Sequence, residues 1–97
     1  MTDLEMTKLC AEAMGLEIFW AEALPITAPK GCPYDPLHDD AQAMALVKKF
    51  HIALGWNDPG WGAFGQHDKR WVNNPDLNRA IVECVAKMQA AKIKIPA

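Results

Sequence analysis

Apolar residues near the start of the chain recur at every third or fourth position, which is the spacing of one helical face. Thr2 and Glu5 have the spacing of a capping box, and Asp3 is an alternative cap. Gly15 follows and allows the left-handed conformation in which many helices end. The pattern predicts a helix over residues 3–14 whose buried face carries Met6, Leu9, Cys10, Ala13 and Met14.

Two later stretches have the same helical period. One begins after Asp39, which is a predicted N-cap, and ends near Phe50 or His51. The other begins with Asn74 as its predicted cap and Pro75 at the first helical position. The two buried stripes consist of Ala43, Leu46, Val47 and Phe50, and of Leu77, Ile81, Cys84, Val85 and Met88.

The segments between these helices favour strands, because they are rich in aromatic and β-branched residues and are bounded by turn signals. Residues 57–60, with the sequence Asn-Asp-Pro-Gly, predict a tight turn. Gly60, Gly62 and Gly65 predict either a bulge or a close approach of the backbone. The predicted strands cover residues 16–21, 24–28, 52–56, 61–66 and 69–72.

Helices and strands therefore follow one another in the order α-β-α-β-β-α. Each amphipathic helix has to bury its stripe against the sheet or another helix, and three helices are enough to cover both faces of a small sheet. A chain of 97 residues supports one modest core rather than two. We expect residues 1–97 to form a single small α+β domain, in which three helices pack around a mostly antiparallel sheet as a helix–sheet–helix sandwich.

Composition narrows the class of protein by exclusion. The formal net charge is −2, whereas nucleic-acid-binding domains usually carry a basic face, so we expect no nucleic-acid partner. The chain does not start with a basic region followed by an apolar run, so we expect no signal peptide. No apolar run approaches the roughly 20 residues of a membrane span, and the three cysteines lack metal-binding spacing. We expect a cytoplasmic protein with no membrane partner.

Two groups of residues suggest chemistry, and each has a simpler explanation. His38, Asp39 and Asp40 are metal-ligand types, but consecutive residues at a helix start point in different directions, which favours capping. Cys32 and a histidine suggest a nucleophile and its base, but no helix begins directly after Cys32 to lower the pKa of its thiol. We therefore expect no catalytic residue, no metal site, no cofactor and no enzymatic activity.

Aromatic residues crowd the predicted hairpin in the second half of the chain. Tryptophan is a frequent interface anchor, because it buries a large area and keeps one polar group. The alternative is that these rings fill the small core. If they form a surface, the charged turn next to them supplies its rim, and the candidate binding residues are Trp56, Trp61, Phe64, His67, Lys69, Arg70 and Trp71.

The run from Tyr34 to Leu46, YDPLHDDAQAMAL, resembles the "NPLxDDxDAxRL" segment of small proteins from tailed phages and prophages. These proteins are grouped as the phage ABA-sandwich domain. Asp35 stands where asparagine is usual, Gln42 stands where a third aspartate is typical, and the tryptophan-rich stretch 56–71 has no counterpart. The resemblance implies a helix–sheet–helix fold and a phage setting, but no established activity and therefore no catalytic residue.

Together these observations predict a non-enzymatic phage or prophage accessory protein in the cytoplasm of a bacterial host. It would bind a host protein or protein complex, for instance as an inhibitor of a bacterial defence system. The alternative is a small-ligand module that sequesters a nucleotide signal, with tryptophans stacking on the base and with Lys69 and Arg70 binding phosphate. We also expect a homodimer, formed through the aromatic hairpin or the sheet edge beside the proline-rich segment 24–33.

Overall fold

The computed structural model describes residues 1–16, 26–27, 33–57, 60–65 and 70–94. Its helices are α1 (Asp3–Ala13), α2 (Asp40–Phe50) and α3 (Leu77–Lys94). Its strands are β1 (Ile26–Thr27), β2 (Pro33–Tyr34), β3 (Ala53–Asn57), β4 (Gly60–Gly65) and β5 (Arg70–Asn74).

Strands β3, β4 and β5 form an antiparallel sheet in that order, and β1 and β2 form a separate antiparallel pair. Pairing between β3 and β4 runs without interruption from Ala53 opposite Phe64 to Asn57 opposite Gly60. Pairing between β4 and β5 is equally continuous. Of the two roles predicted for the glycines, the described strands therefore show close approach of the backbone rather than a bulge.

The layers are arranged around α3, which contacts β4 and β5 on one side and α1 and α2 on the other. The predicted α+β class, the three helices, the antiparallel sheet and the element order are confirmed. Over the described residues the layers run from the sheet to α3 and then to α1 and α2. The expected helix–sheet–helix layering thus takes the order sheet, helix, helix, and the helices lie on one side of the three-stranded sheet.

The core is centred on α3, and it extends beyond the stripe that helical spacing predicts. Ile81, Cys84 and Val85 are buried as predicted, but Val82 and Ala86 are buried too. Val82 and Ala86 each follow a residue of the predicted stripe, so their burial widens the buried face of α3 on one side. The remaining face of α3 is more exposed and carries charged residues.

Local signals place the ends of α1 and α2 correctly. Thr2 accepts a hydrogen bond from the backbone N–H of Glu5, and Gly15 adopts a left-handed φ of +75° directly after the last turn. Asp39 caps α2 by accepting from the backbone N–H of Gln42. His51 ends that helix with a φ of 53°, which non-glycine residues seldom adopt.

The predicted start of α3 is two residues too early, because the helix begins at Leu77. Asn74 is the last residue of β5, where it pairs with Trp61, and its side chain accepts from the backbone N–H of Asp76. Asp76 precedes the helix, and its carbonyl oxygen accepts from Ala80 in the first helical hydrogen bond. Because sheet pairing holds Asn74 in an extended conformation, Pro75 lies outside the helix.

Strand predictions have mixed outcomes. Those for residues 52–56, 61–66 and 69–72 are confirmed to within about two residues at each end by β3, β4 and β5. The prediction for 24–28 contains β1, whereas its partner β2 was not anticipated. Leu16 lies outside any strand, and the rest of the strand predicted over 16–21 falls outside the described residues.

The tight approach at Gly60 yields a test of the sheet geometry. A Cβ atom at Gly60 would lie 3.0 Å from the carbonyl oxygen of Asn74 and 3.2 Å from the nitrogen of Pro75. Both are backbone atoms, so we expect Gly60→Ala to lower the free energy of unfolding by about 1–3 kcal/mol. Gly55→Ala is the matched control, because a Cβ there meets nothing within 4 Å. Urea denaturation should show a change below about 0.5 kcal/mol for the control; equal losses would contradict the geometry.

Candidate functional site

The three-stranded sheet has two chemically different faces. Directly paired residues of antiparallel strands point to the same face, and successive residues alternate between faces. Trp61 and Ala63 pack into the core, so the residues paired with them also point towards the helices. The opposite, outer face carries Gly55, Gly62, Phe64, Trp71 and Asn73.

Strand register explains how the aromatic rings meet. Only two residues separate Asn57 from its partner Gly60, so this pair closes the hairpin as a hydrogen-bonded pair. Alternation then makes Trp56 opposite Trp61, and Phe64 opposite Trp71, non-hydrogen-bonded pairs, whose side chains are closer together. The ring centroids lie 5.2 Å apart in the first pair and 5.0 Å apart in the second.

Trp71 lies over Gly62 on the outer face. A Cβ atom at Gly62 would be 3.0 Å from Cε3 of the indole and 3.2 Å from Oδ1 of Asn73. Because Gly62 has no side chain, the indole of Trp71 lies close to the sheet and against the ring of Phe64. Even so, 56% of Trp71 remains exposed to solvent.

A shallow cleft of about 410 Å³ opens beside this indole. Its lining consists of two tryptophans, two glycines and one asparagine, and no residue in this lining is charged. The lining residues are Gly55, Trp56, Gly62, Trp71 and Asn73. The cleft offers one exposed indole, one neutral amide and exposed strand backbone to a ligand or a partner.

Of the two alternatives for the tryptophans, packing in the core applies to one residue and exposure at the surface applies to two others. Trp61 is half-buried and packs against the core. Trp56 and Trp71 are 58% and 56% exposed, on opposite faces of the sheet. The structure thus brings Phe64 and Trp71 together on the outer face and assigns Trp61 mainly to the fold.

The charged rim of the predicted site is placed only in part. Arg70 begins β5, where it pairs with Gly65. His67 and Lys69 lie outside the described residues. Gly55, Gly62 and Asn73 were not among the predicted site residues, although glycines inside an aromatic-rich strand are a signal for them.

The residues considered as metal ligands have structural partners. Asp39 caps α2, and Asp40 accepts a hydrogen bond from Asn78 at 2.7 Å. Nδ1 of His38 lies 2.8 Å from a carboxylate oxygen of Asp35 within the turn that precedes α2. Among the residues that the structure describes, no group of three or more His, Cys, Asp or Glu side chains is arranged to hold a metal ion.

The same turn explains the glutamine that departs from the phage pattern. Oε1 of Gln42 accepts from the backbone N–H of Asp35 at 2.6 Å, while the backbone N–H of Gln42 donates to the Asp39 carboxylate. Gln42 thus links the turn to the first turn of α2. Leu37 and Pro36 are buried, which anchors this turn to the core.

A buried thiol lies where α1 meets α3. The Cys10 thiol donates to the carbonyl oxygen of Val82 at 3.4 Å. Burial, with a smaller contribution from the nearby Cys84 thiol, raises the pKa of Cys10 to about 12. Burial, and secondarily Cys10, also raises the pKa of Tyr34, whose hydroxyl has no hydrogen-bond partner among the described residues. These groups stay protonated at neutral pH, which suits packing and not nucleophilic chemistry; Cys32 lies outside the described residues.

Comparisons with protein families, with curated proteins and with solved structures find no match to this chain. The resemblance of residues 34–46 to the phage ABA-sandwich segment therefore stays a prediction. None of the helices in the described ranges is both long enough and apolar enough to cross a membrane.

The raised pKa values predict a loss of stability at alkaline pH. The pKa of Cys10 rises from 9.0 to about 12, and that of Tyr34 rises from its usual 10.0. Their contribution is therefore complete below pH 9 and declines as the pH rises further, because the unfolded chain then loses protons first. We expect urea titrations to show this decline for the native protein.

Tyr34→Phe tests the contribution of the unpartnered hydroxyl. At pH 7 we expect a change in unfolding free energy of less than about 1 kcal/mol, or a gain, because no hydrogen bond is lost. Above pH 10 the variant should lose stability less steeply than the native protein. A steeper loss in the variant would contradict the assignment.

The different burial of the tryptophans predicts different costs of truncation. We expect Trp61→Ala to lower the unfolding free energy by about 2–4 kcal/mol, because it removes packing against the core. Trp71→Ala should cost about 1 kcal/mol or less, because more than half of the residue already faces solvent. Urea denaturation of the two variants measures both values, and the reverse order would show that the faces are wrongly assigned.

Proposed function

We propose that this protein is a non-enzymatic binding protein whose partner, a protein, contacts the outer face of the three-stranded sheet around Trp71. The observation that carries the proposal is the exposed indole, held over Gly62 on the face opposite the one that packs into the core. Exposing a large aromatic side chain costs hydrophobic free energy that a partner would recover on binding.

The geometry favours a protein partner because the indole is pre-organised. Contact with Phe64 and the close fit over Gly62 restrict the rotamers of Trp71 before binding. A rigid aromatic anchor loses little conformational entropy in a complex, which is why tryptophan is frequent among the residues that dominate interface energies. Asn73, next to the indole, offers an amide that donates and accepts hydrogen bonds.

The biological setting that we propose is that of a phage or prophage accessory protein in the bacterial cytoplasm, with a host protein as partner. Inhibition of a bacterial defence system is the form of action we favour. The support is the phage-like segment 34–46. The side chains of that segment are used for the turn and the cap, so the partner surface is proposed elsewhere, on the sheet.

A second candidate function is the binding of a small molecule in the cleft beside Trp71. Its volume of about 410 Å³ lies within the usual range of ligand pockets. The uncharged lining favours a ligand with a neutral ring, which would stack on the indole, rather than a nucleotide. The phosphates of a nucleotide would rely on Lys69 and Arg70. Tryptophan fluorescence titrated with nucleosides, nucleotides and neutral sugars separates these ligands.

Trp71→Ala tests the protein-binding proposal directly. We expect the immobilised native protein to retain a specific protein from a bacterial host lysate, and Trp71→Ala to reduce its recovery at least tenfold. Such a loss corresponds to about 1.4 kcal/mol or more, within the range of interface anchors. Mass spectrometry identifies and quantifies the retained protein.

Met44→Ala is the matched control, because Met44 is an exposed apolar residue of α2 and does not line the cleft beside Trp71. Recovery should be unchanged for this variant. Circular dichroism verifies that both variants fold. Equal recovery by the native protein and Trp71→Ala would refute the proposed surface.

A further inference from the structure

The free edge of β3 has a chemistry unlike that of the opposite edge of the sheet. Strand β3, with the sequence Ala-Leu-Gly-Trp-Asn, contains no charged residue and no proline. Strand β5 at the other edge starts with Arg70 and is followed directly by Pro75, and both features discourage further strand pairing. In the part of the chain that the structure describes, no strand pairs with the outer side of β3.

Strand register identifies which backbone groups this edge presents. Asn57 and Gly60 form a hydrogen-bonded pair, so Ala53, Gly55 and Asn57 direct their backbone groups towards β4. The alternate residues, Leu54 and Trp56, therefore direct their N–H and C=O groups outwards. The edge thus presents two donors and two acceptors.

We propose that the partner of this edge is the β3 strand of a second copy of the protein, paired antiparallel about a two-fold axis at Gly55. In this register Leu54 of each copy lies opposite Trp56 of the other. All four outward groups of each copy then pair, giving four backbone hydrogen bonds across the axis. Identical strands paired antiparallel form a closed two-fold contact, so assembly stops at the dimer.

Two neighbouring registers are less favourable. A pairing centred on Leu54 would need the backbone N–H of Ile52, which already donates to the carbonyl oxygen of Val47 at 3.1 Å. A pairing centred on Trp56 would need backbone groups of residue 58, which lies beyond the end of β3. The Gly55-centred register alone among these three uses residues of β3 throughout and brings no charge into the contact.

Charge and area together indicate a weak dimer. Each copy has a net charge of −2, but the paired strands are uncharged and add no repulsion of their own. On the helix side, Trp56, which is 58% exposed, gains the Leu54 side chain of the other copy as a neighbour. One strand pair and two tryptophans bury less than the roughly 1,200 Å² of standard stable interfaces. We therefore expect association at tens to hundreds of micromolar, where covalent trapping is the suitable assay.

Gly55→Cys in a Cys32→Ser background tests the register. At the axis the two Gly55 residues form a non-hydrogen-bonded pair with Cα atoms about 4.5 Å apart, within the range that a disulfide spans. A Cβ at Gly55 meets nothing within 4 Å in the monomer. Mild oxidation at about 100 µM should convert most of the variant to a disulfide dimer on a non-reducing gel.

Asn73→Cys in the same background is the matched control, because residue 73 lies in the same row of the outer face but on the β5 edge. Its cross-linking should be at least fivefold slower. Adding Trp56→Lys to Gly55→Cys should slow cross-linking to the control rate, since it places a charge opposite Leu54 of the other copy. Adding Trp71→Ala instead should leave the rate unchanged, which separates this contact from the proposed partner surface.

Sedimentation equilibrium of the native protein provides a readout without new cysteines. The average mass should rise from 10.7 kDa towards twice that value as the concentration increases from 1 to several hundred micromolar. Trp56→Lys should stay monomeric across the same range. Equal cross-linking of the two cysteine variants, or a constant mass of 10.7 kDa for the native protein, would overturn the proposal.

Discussion

Helix α3 contacts the sheet on one side and α1 and α2 on the other, so most of its circumference has to be apolar and closely packed. Small residues such as Ala80 and Ala86 let neighbouring elements approach it, while Ile81, Val82 and Val85 fill the space between the layers. The other helices and the sheet depend on α3, because each of them buries its apolar side against α3 or next to it. Such a core is sensitive to single truncations.

Among the described elements, the helices lie on one side of the sheet, and the opposite face is the one that we propose for binding. That face has the features of a contact surface: an indole held by Phe64 and Gly62, an amide at Asn73, and a cleft beside them. The β3 edge, with which no described strand pairs on its outer side, adjoins this cleft through Gly55 and Trp56, and its proposed partner is a second copy of the chain. Pairing of two β3 edges would extend the sheet and bring two outer faces into one continuous surface, so that a partner could contact two copies of Trp71.

The segment with the phage-like pattern contributes to folding more directly than to binding. Asp39 caps α2, Gln42 links the cap to the turn at Asp35, and Leu37 is buried beneath it. Such residues recur where a chain must turn and start a helix at a fixed place. A pattern of this kind carries information about the fold, whereas the proposed partner surface depends on exposed residues such as Trp71.

Sequence alone determined the features that depend on neighbours within a few residues: the helices α1 and α2 with their caps, and the strands β3 to β5. Tertiary structure decided the rest. Asn74 has the residue type of a helix cap, but its pairing with Trp61 outweighs that local preference and moves the start of α3. Which tryptophan is exposed was equally undetermined, because alternation along a strand defines two faces and only the position of the helices decides which face is buried.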